Sequence, residues 1–126
     1  MRINMPGVVE EIAFEVDRYE KALRENDVKT LNLFYWKDGQ VARFSMSANQ
    51  YGHHAIAAAR LARPAYELER TIVKKQITTF GRKFATVHIE FKRLKSGRIG
   101  RQSQTWVRFR NRWRIVSGHV SYPTDV

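Results

Sequence analysis

A chain of 126 residues has the length of one domain, and folding at this size hides roughly two-thirds of the surface the unfolded form exposes, so residues 1–126 read as a single unit with a substantial core. It contains no cysteine, which excludes a disulfide framework, a thiolate metal cluster and a cysteine nucleophile. Its 23 Lys and Arg against 12 Asp and Glu leave a net charge of +11, compatible with nucleic acid, a membrane surface or a small anion as partner.

The amino-terminal stretch MRINMPGVVEEIAFEVDRYEKAL mixes acids among its apolar positions, unlike a secretion signal. No segment approaches the ~20 apolar residues that cross a bilayer, so a cytoplasmic location without membrane association is expected. From Val8, the apolar positions Val8, Ile12, Val16, Tyr19 and Leu23 recur every three or four residues and predict a helix from about Gly7 to Glu25. Asn26-Asp27 offers a stop and a new cap, and Val28, Leu31 and Phe34 predict a short second helix that closes before Asp38-Gly39. Val41 to Met46 reads as a short strand and Asn49 to Gly52 as a turn. An alanine-rich third helix follows, His53 to Leu61, which stops near Arg63 because Pro64 disfavours helical geometry in the residue before it.

Four alternating segments come next: Thr71 to Phe80, Phe84 to Leu94, Ile99 to Phe109 and Trp113 to Tyr122. Their short, turn-like separators predict an antiparallel meander. The fold class is therefore α+β, with helices first and packed on one face of a curved antiparallel sheet. Parity sorts the strand faces. Ala85, Val87, Ile89 and Phe91 form an apolar face, opposite His88 and Glu90. Two further sets, Arg101-Ser103-Thr105-Val107 and Trp113-Ile115-Ser117-His119-Ser121, each grade from apolar to polar, with their polar ends at the same end of the sheet. A layer dry at one end and rich in donors at the other is what a cone-shaped pocket requires.

The order helix, helix, strand, helix and four strands ending in WRIVSGHVS resembles the cone-shaped nuclear transport factor 2-like superfamily, with its SnoaL-like and ketosteroid-isomerase-like proteins. More specifically, YEKAL (Tyr19 to Leu23), VARFS (Val41 to Ser45), NQYG, ARPAYELERT, ITTFGRKFATVHIEF and GRIGRQSQTWVR are similar to the AtzH-like branch, which includes HpxZ-like proteins of oxalurate breakdown. That resemblance implies the cone-shaped fold, a homodimer, and company with amidase-signature enzymes in nitrogen catabolism. It also implies conversion of 1,3-dicarboxyurea to allophanate by cleavage of a carbon–nitrogen bond, with Tyr19 and Arg43 as the catalytic pair and no cofactor. His53-His54 and Arg110 to Arg112 depart from the usual family pattern.

Each site residue also has a plainer reading. Tyr19 lies on the apolar stripe of its helix and, apart from the resemblance, reads as a core tyrosine. Arg43, between Ala42 and Phe44, must reach solvent, pair with an acid such as Glu69 or Glu90, or await an anion. Arg101 is either a solvent-facing strand end or, with Ser103, part of the pocket; His119 is either a structural histidine or a site residue. His88 and Glu90 belong on the outer surface or in a dimer interface, and Trp106 and Trp113 read as packing residues, although Trp106 on an outer face would anchor a dimer. No metal-ligand spacing appears. In the enzyme reading Arg43 and Arg101 each grip one carboxylate of a small dianion and Tyr19 serves the departing nitrogen as general acid. The alternative is a non-catalytic accessory or anion-binding protein that partners an amidase. Nucleic-acid binding through the basic strands is disfavoured, because the aromatics form no exposed stacking platform.

Overall fold

The computed structural model describes residues 1–63 and 68–123. The sequence predictions that touch Pro64 to Glu67, part of the ARPAYELERT stretch, lie outside the described residues. Pro6 starts α1 (Pro6–Arg24), where its fixed φ suits the first turn and its missing N–H would have had no partner. The helix ends at Asn26, whose φ of 50° is a left-handed conformation that asparagine tolerates. Asp27 then caps α2 (Val28–Phe34), its carboxylate accepting from the Thr30 N–H at 3.2 Å. After β1 (Ala42–Phe44) and β2 (Asn49–Tyr51) comes α3 (His53–Ala62), which gives way to extended backbone at Arg63. Asn49 to Tyr51, expected within a turn, instead pair antiparallel with β1.

The meander is β3 (Arg70–Phe80), β4 (Phe84–Arg93), β5 (Ile99–Phe109) and β6 (Arg112–Ser121). With the two short strands it forms one six-stranded sheet in the order β2-β1-β6-β5-β4-β3. Every neighbouring pair is antiparallel except β1 with β6, which run parallel. The helices cover one face. Between them and the sheet lies a single core built from Ile12, Val16 and Leu23 of α1, Leu31 and Phe34 of α2, Val87 and Phe91 of β4, Trp106 of β5 and Ile115 of β6, all buried. Trp106 is therefore a core residue, its indole N–H donating to Gln104 Oε1 at 3.1 Å, as a buried tryptophan requires.

The expected faces hold on β4 and fail on part of the next two strands. On β5 the inward residues are Gln102, Gln104 and Trp106, while Arg101 and Ser103 point to the outer face. On β6 the pairing skips Val116: Thr105 opposes Ser117, whereas Trp106 opposes Ile115. This bulge puts one extra residue in β6 and inverts its alternation. Trp113 and Ile115 face inward before it, and Gly118 and Val120 after it, so Ser117, His119 and Ser121 turn outward. The set running from Trp113 to Ser121 is thus two half-strands on opposite faces. Close backbone approach also matters at Gly100, where a Cβ would lie 2.4 Å from the Phe91 ring.

Candidate functional site

Arg43 sits on β1 directly opposite Gly118 of β6. A Cβ at Gly118 would lie 3.9 Å from Arg43 Cγ and 3.5 Å from Tyr35 Oη, in ordinary contact, which places both groups beside this glycine on the helix-covered face. From α3, Ile56 and Arg60 are buried together, one helical turn apart, and Arg63 follows three residues on. Arg43, Gln50 and Val120 from the sheet, with Ile56, Arg60 and Arg63 from the α3 side, line a cavity of about 410 Å³ that, among the described residues, no Asp, Glu, His or Cys borders.

Three of the guanidinium groups at this cavity carry buried nitrogens without acceptors. Arg43 Nη1 donates weakly to Gln50 Oε1 at 3.4 Å, and its Nε has no partner. Arg60 Nε and Nη1, and Arg63 Nε and Nη2, are likewise buried and unpartnered. Arg43 pairs with neither Glu69 nor Glu90. Buried donors are nearly always satisfied, and a guanidinium that is not has given up its hydration without recompense. Three such groups around a cavity without an acid among the described residues offer the donors and the charge that an anion would need.

Tyr19 is fully buried on α1, edge-on to Phe34 at 5.6 Å and to Tyr35 at 6.5 Å. Neither tyrosine lines the cavity. The Arg60 guanidinium lies 5.5 Å from the Tyr35 ring centroid, and the Tyr35 hydroxyl is buried beside it. Burial alone would raise the Tyr19 pKa, but the charges of Arg60, then Arg43, then Arg70 outweigh it and bring the phenol from 10.0 down to about 8. Tyr35 goes the other way, up to about 12, through burial and the neighbouring Tyr19. Burial and the adjacent Arg60 lower Arg63 to about 10. Two tyrosines with well-separated acidities next to a cationic cavity make a plausible acid–base element.

Below this cluster, Arg70 and Glu20 form a buried ion pair, with Arg70 Nε donating to Glu20 Oε2 at 3.2 Å and Nη2 donating to Gln102 Oε1 at 2.8 Å. Glu20 is the residue after Tyr19, so the pair fixes the turn of α1 that carries the phenol.

The structure brings Tyr19 and Arg43 into one neighbourhood and separates the other three predicted site residues from it. Arg101 is exposed on the outer face, its Nε donating to Ser121 Oγ at 3.0 Å. Ser103 shares a 2.8 Å hydrogen bond with His88 Nδ1 on that same face, and His119 stacks edge-on against Phe44 there. For His119 the cause is the inverted alternation of β6; on β5, whose alternation is unbroken, the set of Trp106 and not that of Val107 faces the core, so the pocket end of the two strands presents Gln102, Gln104, Gly118 and Val120 inward. Tyr35, Arg60 and Arg63 were not anticipated. The available signal was the spacing Ile56, Arg60, Arg63, which places two cations on the buried stripe of an otherwise alanine-rich helix.

Comparison with known proteins agrees with this architecture. The AtzH-like family profile matches residues 1–125. A protein of unknown function from Pectobacterium atrosepticum is 42% identical, with 97% of this chain and 95% of that one covered and a TM-score of 0.93. A cystatin-like fold protein from Burkholderia xenovorans is 34% identical over 100% of this chain and 99% of its own, also with a TM-score of 0.93. An NTF2-like protein of unknown function from Pseudomonas putida, 17% identical over 96% and 90% of the two chains with a TM-score of 0.82, shares the fold. No curated protein matches the chain. With a match along almost its whole length and relatives superposing over nearly every residue, this chain belongs to the AtzH-like family and has the NTF2-like, cystatin-like fold.

Proposed function

We propose that the protein is a metal-independent enzyme that cleaves a carbon–nitrogen bond in a small carboxylated urea, converting 1,3-dicarboxyurea to allophanate. The observation that carries this reading is the cavity, lined by no acid among the described residues, at which Arg43, Arg60 and Arg63 all hold unsatisfied donors. A carboxylate would accept two parallel charge-assisted hydrogen bonds from a guanidinium, which fixes its plane as well as its position. Family membership supports the substrate class.

In the reaction the bond between a urea nitrogen and its terminal carboxylate breaks, its electron pair moves to nitrogen, carbon dioxide departs, and the nitrogen takes one proton. Tyr19, set behind the cavity lining, supplies that proton through an intervening water and is recharged from solvent. A phenol at about pH 8 is a far better match to this task near neutrality than one at 10.0. Arg43 and Arg60 hold the retained carboxylate and stabilise charge developing on the urea oxygen. They line the cavity and are also the two strongest charges on Tyr19, so capture of the anion and the acidity of the phenol are linked.

The burial of Tyr19 away from the cavity lining favours one other reading, an anion-binding accessory protein that works beside an amidase-signature enzyme. Purified protein mixed with 1,3-dicarboxyurea decides between them. The enzyme reading expects carbon dioxide release above the spontaneous rate, lost in Tyr19→Phe while binding persists. Release at the spontaneous rate, with the anion still bound, assigns the accessory role instead.

A further inference from the structure

Resting on the reading of this cavity as a carboxylate receptor, we infer that it is one of two adjoining chambers and that Arg63, on their common wall, selects dicarboxylates over monocarboxylates. The second chamber, about 310 Å³, lies between the end of α3 and the turn that joins β4 to β5. Arg63, Arg93 and Tyr122 line both chambers, and Lys95 and Arg98 add further positive charge to the second.

The shared wall is ordered. Arg93 Nε donates to Tyr122 Oη at 2.8 Å, its guanidinium stands 5.0 Å from the Phe91 ring, and Arg98 lies over the Tyr122 ring at 4.2 Å. The Tyr122 ring is thus a fixed platform between cations, held from its other side by an edge contact with Phe91 at 5.9 Å. Arg63 differs from these residues because two of its buried nitrogens, Nε and Nη2, have no acceptor. Glu69, the acid at the second chamber, forms no ion pair with it.

Arg43 and Arg60 border the first chamber alone. A ligand with one carboxylate is satisfied there. A ligand with a second carboxylate, carried on a short linker past Arg63, would meet the unpartnered Nε and Nη2 in the bidentate geometry guanidinium favours. This assigns to Arg63 the role that the exposed Arg101 does not fill. The proposal concerns binding and specificity only, so no bond-breaking step depends on it.

The test is titration calorimetry with inert ligands rather than the reactive urea. Malonate, succinate and glutarate would be compared with acetate, propionate and butyrate at constant ionic strength, in wild type and in Arg63→Met. The expected result is a preference of about tenfold or more for one dicarboxylate length, which Arg63→Met removes while lowering monocarboxylate affinity, through loss of one charge beside the first chamber, by a clearly smaller factor. Arg98→Ala should weaken the same dicarboxylate by a smaller factor. Equal affinity for di- and monocarboxylates in wild type would overturn the inference, as would an equal loss of both classes in Arg63→Met, since that would place Arg63 in the first chamber only. Thermal unfolding of Arg63→Met establishes that it folds; deletion of an unpaired buried cation should leave its Tm unchanged or higher. Dicarboxylate selectivity without turnover of 1,3-dicarboxyurea would uphold the two chambers and refute the reaction, whereas turnover without selectivity would do the reverse.

Discussion

Replacing Arg60 by Met should raise the Tyr19 pKa, and the size of the change follows from the forces on the phenol. Burial opposes ionisation, yet the pKa lies near 8 instead of 10.0, so the combined downward pull exceeds two pH units. Arg60 is the largest of the four downward contributions, ahead of Arg43, Arg70 and Tyr35. Its removal must therefore raise the pKa by a substantial part of that pull, on the order of 1 kcal/mol of preference for the neutral phenol. Tyrosinate absorbance in the ultraviolet, followed against pH, reads this directly. The chain has five tyrosines, and the transition near pH 8 should disappear in Tyr19→Phe, which identifies it. The stability of the native state carries the same signature. Between about pH 8 and 10 folded Tyr19 has lost its proton while the unfolded phenol retains it, so stability rises with pH by up to about 3 kcal/mol. Above pH 10 the sign reverses, because Tyr35 keeps its proton to about 12 in the folded state and loses it near 10 when unfolded. A transition that stays near pH 8 in Arg60→Met would refute the assignment of Arg60 as the main charge on Tyr19.

Glu20→Ala should leave Arg70 buried without its carboxylate and cost about 3–5 kcal/mol in denaturant unfolding, with Glu20→Gln recovering part of the loss through a neutral hydrogen bond. Gly100→Ala forces a Cβ against the Phe91 ring and should cost about 1–3 kcal/mol, readable as a lower denaturation midpoint at unchanged slope. For carboxylate binding by calorimetry, Arg43→Ala should abolish the signal, whereas Arg101→Ala, Ser103→Ala and His119→Ala on the outer face should leave affinity within about twofold of wild type, consistent with screened, exposed charges. Loss of binding in Arg101→Ala would restore the outer face as a site.

Much of the fold was legible because it rests on local periodicity. Val8, Ile12, Val16 and Leu23 repeat at helical spacing, and all four lie within the 19-residue helix that forms. Ile99 to Phe109 alternates, and the strand has those same bounds. Tyr19 and Arg43 came from motif resemblance, and the fold brings them together. What parity did not reveal was the Val116 bulge, because Ser117 to Ser121 continue the alternation of Trp113 and Ile115 without a break in the written sequence. A single extra residue has no compositional mark, so His119 was assigned to the wrong face. Arg60 and Arg63 were missed for a different reason. A cation on a helix is ordinarily solvated, and only the packing of α3 against the sheet shows that these two are not.

The extra residue in β6 has a bearing on how the chain tolerates change in length. Removing Val116 would restore uninterrupted pairing with β5 while every residue beyond it kept its partner and its face: Ser117 would still oppose Thr105 and His119 would still oppose Ser103 on the outer side, with Gly118 and Val120 inward. The surplus residue is thus a reserve of length, and its loss would spare the sheet wall of the arginine-lined cavity.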